Sequence, residues 1–255
     1  MPLFNLAWKS KYFWDGRARS LREQALMPIQ DHVEMDESLD NIVQKLKADA
    51  HYPQRFQAAF GSGSISAETI GLALESFLLV QTSHDSKFDR SLLGEETLSA
   101  EEQRGMELFF TEYDPRREQF GADCFHCHGG AHFTSFGFAN NGLDNDPKDP
   151  GRFRVTQSMT DMGTFAIPSL RNVQLTAPYM HDGRFQTLEA VVQHYTSGVK
   201  RPEALDPNLA KHPNGGVPLS GADQRALVAF LCTLTDPKFA SESSNEVVAA
   251  QNLAR

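Results

Sequence analysis

The sequence lacks several features, and each absence narrows the field. It has no apolar run of about 18 residues, so no membrane-spanning helix is expected. It has only 3 cysteines, an odd count that argues against a disulfide framework. It lacks an excess of basic charge: the formal net charge is −9 with both signs interspersed, which argues against a nucleic-acid partner and allows a basic one. No internal repeat and no alternating strand pattern is visible, so little or no sheet is expected. Met1 to Trp8 carry no basic region followed by an apolar segment, so no signal peptide is expected in this sequence.

What is present is ordinary globular composition, with 40% hydrophobic and 22% charged residues. A length of 255 residues suits one large domain or two small ones. The 18 Phe, many flanking Gly or Pro, suit apolar walls around a flat cofactor, and an ordinary core equally.

Apolar periodicity predicts mostly helix joined by long irregular loops. Helices are expected over Ser20–Gln30, Asp36–Ala48, Ser66–Val80 and Ser99–Phe110, then Thr187–Thr196 and Ser220–Leu234. Ser20 with Glu23, and Ser99 with Glu102, stand in capping-box spacing. The polar stretch Ser83–Thr97 reads as a connection between two halves. Asp123–Tyr179 is rich in Gly, Pro, Asn and Asp, and a loop of that length is uncommon unless it wraps a ligand. Residues from Ser241 onward read as a frayed tail.

The run Cys124-Phe125-His126-Cys127-His128 is a c-type haem attachment signature. Its spacing lets two thiols reach the two vinyl groups of one porphyrin, and the following His ligates the iron. A zinc site is the alternative, but one Cys pair and an adjacent His supply at most three ligands, even with His126 and His132 nearby. Cys232, inside an apolar run, reads as a small buried hydrophobe. The iron's second axial position is open to Met159, Met162, Met180, His181, His194 and Tyr195. By helical periodicity alone Tyr195 points inward as a core residue.

Several segments resemble the bacterial di-haem cytochrome c peroxidase and MauG family. They are Tyr12 to Ala18, Leu21 to Leu26, Val33 to Met35, Phe88 to Arg90, Leu98 to Glu102, the haem motif, Pro168 to Val173, and above all Leu175 to Phe185. The similarity runs in matching order from about Leu3 to Asp236. It implies a mainly α fold: a cytochrome c-like helical haem domain over residues 96–240, the remaining helical part of a second, peroxidatic haem domain over residues 1–95, and a tail over 241–255. It implies that Cys124, Cys127 and His128 hold the C-terminal haem, and that the distal ligand is Tyr195, where peroxidases proper usually carry Met; Met180 and His194 stay open. Trp14 would relay electrons between two haems. Gln24 and Glu34, with Pro28 beside them, would line the peroxide pocket, Glu34 as acid–base. Thr176 and Pro178 match backbone ligands of the family's calcium. The family's first haem motif should precede Trp14 by several tens of residues, so the natural N-terminus, with its signal peptide, is expected to be absent from this sequence.

The resemblance therefore implies a periplasmic haem c oxidoreductase that reduces hydrogen peroxide. A small electron-donor protein or an oxidised protein side chain would supply the electrons, and a homodimer fits the family. The alternative is a mono-haem electron carrier or redox sensor, since a single attachment motif is present.

Overall fold

A computed structural model describes residues 2–61 and 64–240; the expected tail at 241–255 lies outside the described residues. The chain forms two compact units, one of Leu3–Thr82 and one carried by the residues from Ser83 onward.

The smaller unit carries α1 (Leu21–Gln30), α2 (Leu39–Ala48), α3 (Tyr52–Phe60) and α4 (Ala67–Leu79). Serine caps start three of them: Ser20, Ser38 and Ser66 each accept a backbone N–H three residues on. α1 lies against α4, where Arg22 donates to Glu75 through Nε and Nη2 at 3.2 and 3.1 Å. One apolar cluster gathers Leu6, Tyr12, Ala18, Leu21 and Leu78, and a second Val43, Phe56, Ile65 and Ile70.

Two details depart from the sequence expectation. α2 begins at Leu39 rather than Asp36, because Asp36 is left-handed (φ 49°) and Ser38 supplies the cap. α3 was not expected at all. Tyr52, Phe56 and Phe60 are its only large apolar marks, and Pro53 fits its first turn.

In the larger unit, α5 (Lys87–Leu92) occupies part of the stretch expected to be a plain connection. It forms because Ser86 and Asp89 make a reciprocal cap, while Phe88 enters the core. There follow α6 (Ala100–Phe110), α7 (Phe125–His128), α8 (Phe153–Thr156), α9 (Leu188–Gln193), α10 (Pro207–Ala210) and α11 (Gly221–Cys232). Two antiparallel two-residue ladders join them: β1 (Tyr113–Asp114) with β2 (Gln119–Phe120), and β3 (Phe138–Ala139) with β4 (Phe165–Ala166). The fold is mainly α with little sheet, as expected.

The core of this unit lies where α6 crosses α11. Leu108 and Phe109 meet Leu227, Phe230 and Leu234, and each such fully buried large side chain stabilises by roughly 1.5–3 kcal/mol. Gly105 makes the crossing close: a Cβ there would stand 1.9 Å from the carbonyl oxygen of Ala226. Among the described residues no helix is long and apolar enough to cross a membrane.

Candidate functional site

α7 is a single turn, closed by His128 N–H donating to the Cys124 carbonyl at 2.9 Å. Its entry is fixed by Asp123, which is buried and left-handed (φ 58°). That carboxylate accepts from Tyr113 N–H at 2.7 Å and pairs with His212 at 2.9 Å and Lys211 at 3.0 Å. His126 turns aside to Glu112 at 2.7 Å. Glu112, Asp123 and His126 come near enough to suggest a metal cluster, but the Lys211 ammonium already pairs with both carboxylates.

Cys124 and Cys127 are free thiols. Burial pushes Cys124 up to about 12 and Cys127 up to about 11, so both stand protonated at neutral pH. Burial likewise holds His128 down at about 4, against the opposing pull of the Phe133 and Pro168 carbonyls. The ring is therefore the neutral imidazole a metal requires. A carbonyl only accepts, so Nδ1, 3.2 Å from the Phe133 oxygen, carries the proton and Nε2 keeps the lone pair.

Tyr195 reaches the same place from a distant part of the sequence. α9 starts on the Thr187 cap and then widens into a π-turn, His194–Gly198, a local form that recurs at functional sites. The turn is held from behind, where Val217 N–H donates to the Tyr195 carbonyl at 2.9 Å. Gly216 (φ 146°) permits this approach, since a Cβ there would lie 2.3 Å from that carbonyl oxygen. Burial pushes the Tyr195 phenol up to about 12, with Asn141 opposing and Cys127 and Cys124 close enough to add to the rise.

Asn141 is the residue that sequence reasoning missed; inside an Asn-Asn loop dipeptide it reads as a turn and nothing more. Its Nδ2 donates toward Met180 Sδ at 3.3 Å and Tyr195 Oη at 3.5 Å. Its carbonyl engages His194 Nε2 at 2.9 Å. Of the axial candidates, Met180 and Tyr195 thus meet at one amide, while His194 is committed to a backbone carbonyl. Met180 also holds a left-handed backbone (φ 71°). His181 stacks on Phe165 at 3.6 Å between ring centroids, and Met159 is 63% exposed.

In the smaller unit Trp14 is half-buried, Gln24 and Pro28 lie one turn apart on α1, and Glu34 is exposed in the turn that follows. That turn folds back on α1 through Met35 N–H to the Pro28 carbonyl at 3.2 Å. Thr176 and Pro178 belong to the irregular segment before Tyr179, where the Thr176 hydroxyl donates to the Val173 carbonyl at 3.2 Å.

The fold and site define a mainly α protein in which a Cys-x-x-Cys-His turn with a neutral, half-buried imidazole lies near a half-buried phenol. Comparison with known proteins gives the particular family. A family model described as di-haem cytochrome c peroxidase matches residues 1–97. The methylamine utilization protein MauG of Methylorubrum extorquens is 38% identical over 237 residues, covering 91% of this chain and 63% of that protein. The cytochrome c551 peroxidase of Nitrosomonas europaea is 34% identical, covering 75% of this chain and 56% of that protein. The crystal structure of a MauG-like protein associated with microbial copper homeostasis superposes with a TM-score of 0.80 at 33% identity, covering 92% of this chain and 74% of that one. The chain belongs to the di-haem cytochrome c peroxidase and MauG family, whose cofactors are haems c. It spans about two thirds, or less, of the length of these curated relatives.

Proposed function

We propose that the chain is part of a periplasmic haem c oxidoreductase that reduces hydrogen peroxide. The unit from Ser83 onward is its C-terminal haem domain and Leu3–Thr82 belong to its peroxidatic domain, so the division falls at 82/83 rather than at the expected 95/96, because α5 packs with the larger unit. The observation that carries this reading is the Cys124–Cys127–His128 turn with its neutral imidazole, together with a half-buried Tyr195 phenol close enough to both thiols to feel them. The donor set fits the group: two unpaired thiols, a neutral imidazole with Nε2 available, and a phenol drawn from another segment. Cys124 and Cys127 would hold the group by thioether bonds, each S–H adding across one vinyl C=C with sulfur on one carbon and hydrogen on the other. Haem, when bound, supplies one-electron redox chemistry, and a phenolate ligand favours its ferric state.

The chain's own residues do the rest. His128 would hold the iron through Nε2, while Nδ1 keeps its proton and donates it in a hydrogen bond to the Phe133 carbonyl. Tyr195 would offer its phenol oxygen to the iron, and Asn141 Nδ2 donates toward that oxygen. Trp14 passes electrons toward the peroxidatic haem, whose attachment residues are not in this sequence. Glu34, with Gln24, would move a proton from one peroxide oxygen to the other. With two electrons and two protons, one hydrogen peroxide becomes two waters. The electrons come from a small donor protein or an oxidised protein side chain. Thr176 and Pro178 offer backbone oxygens to a calcium ion, and the working form is a homodimer.

The test is direct. Chain produced with a haem-ligation system should gain the mass of one haem and give a pyridine haemochrome with one haem per chain. Replacing both Cys124 and Cys127 with Ala should abolish the covalent adduct. A colourless product of unmodified mass overturns the reading.

A further inference from the structure

We propose that the segment Pro168–Arg171 is a strap that sets the redox potential at the haem, acting through the ring of His128; this rests on the reading that His128 ligates the iron. Three successive residues of the segment seize three successive carbonyls of the loop after α7. Ser169 Oγ donates to the His132 carbonyl at 2.6 Å, Leu170 N–H to the Phe133 carbonyl at 3.2 Å, and Arg171 Nε to the Ala131 carbonyl at 2.8 Å. One of these three carbonyls, that of Phe133, is the acceptor for His128 Nδ1 at 3.2 Å. The acceptor that faces this ring, the Phe133 carbonyl, is thus held by the segment that Pro168 opens.

The strap is itself anchored. Arg171 is 6% exposed and forms a fork-to-fork pair with Asp89, its Nη1 and Nη2 each 2.8 Å from a carboxylate oxygen. Asp89 also caps α5 through Ser86, so the loop is referred to a helix end. This is more restraint than a plain loop needs. A carbonyl that accepts from the ring nitrogen remote from a metal makes the imidazole a stronger donor and stabilises the oxidised ion. Arg171 and Ser169 are positioning residues: they fix where those carbonyls stand and touch neither the thiols nor the imidazole.

Loosening the strap should weaken the acceptor and raise the potential. The test uses haem-loaded chain and three variants: Ser169→Ala, the paired change Arg171→Leu with Asp89→Asn, and Arg171→Lys. The paired change removes both charges together, so no buried charge is orphaned. Spectroelectrochemical titration should show a threefold or larger shift of the ferrous-to-ferric ratio at fixed potential in the first two, about 28 mV upward at 59 mV per decade. Their ferric electron paramagnetic resonance g-values should move, with haem content unchanged. Arg171→Lys, which keeps the charge but loses the fork and the Ala131 bond, should fall between. Loaded variants with unmoved potential and g-values, whatever their melting temperature, overturn the proposal. Should the paired variant fail to fold, Ser169→Ala alone decides. An unsubstituted chain that takes up no haem fails the functional reading first, a result distinguishable from a loaded chain with a fixed potential.

Discussion

Replacing Tyr195 with Phe separates the chemical contribution of one oxygen from its structural one. The substitution keeps the ring in its half-buried site and the Val217 N–H bond to the backbone carbonyl. What it removes structurally is the contact from Asn141 at 3.5 Å, beyond the usual 2.7–3.2 Å range. A normal hydrogen bond contributes about 0.5–1.5 kcal/mol net, so this one contributes less than about 1 kcal/mol. For a domain of this size that is a melting shift of about 2–4 °C at most. The effect on the iron is of another order, because an anionic oxygen ligand is lost. We expect the phenolate-to-iron charge-transfer bands to vanish, the ferric spin state to change, and the potential to rise. If Met180 swings in, a thioether-type spectrum replaces them, since its sulfur already shares the Asn141 amide. Absorption and electron paramagnetic resonance spectra of the loaded ferric protein decide. Unchanged bands and spin state would refute the assignment of Tyr195.

Gly105→Ala should destabilise by more than about 2 kcal/mol, because its methyl meets the Ala226 carbonyl and α6 must leave α11; a lower urea midpoint checks this. Burial alone would raise the Asp89 carboxyl, but hydrogen bonds from Arg171 and Ser86 outweigh it and hold Asp89 at about 2. A depressed folded pKa means stability present above the ordinary carboxylate range and lost as the pH falls toward 2, so Asp89→Asn should flatten the melting temperature between pH 4 and 2. In the full-length protein, Glu34→Gln should slow the reaction with hydrogen peroxide by about 10²-fold in stopped flow while haem content stays intact. Equal rates would remove Glu34 from the chemistry.

Where local chemistry decided an element, the sequence was readable. Ser20, Ser66, Ser99 and Ser220 each start a helix that periodicity also marks, and the attachment run is complete within five residues. α5 escaped because six residues give no periodicity, and its stabilising cap looked like loop polarity. The wide turn at Tyr195 escaped for a different reason. A π-turn is set by what packs behind it, here Gly216 and Val217, and nothing in residues 194–198 announces it. Asn141 and Arg171 act through partners dozens of positions away, which spacing along one chain cannot reveal.

The extra residue in that turn has a consequence of its own. One additional residue advances everything after it by roughly 100° relative to an unbroken α-helix. The main chain at Tyr195 is pinned from outside its own helix, so aim and identity are decoupled there. A new side chain at position 195 inherits the direction and brings only its own chemistry. The position is built as a socket, in which reactivity can be exchanged by point substitution without rebuilding the scaffold.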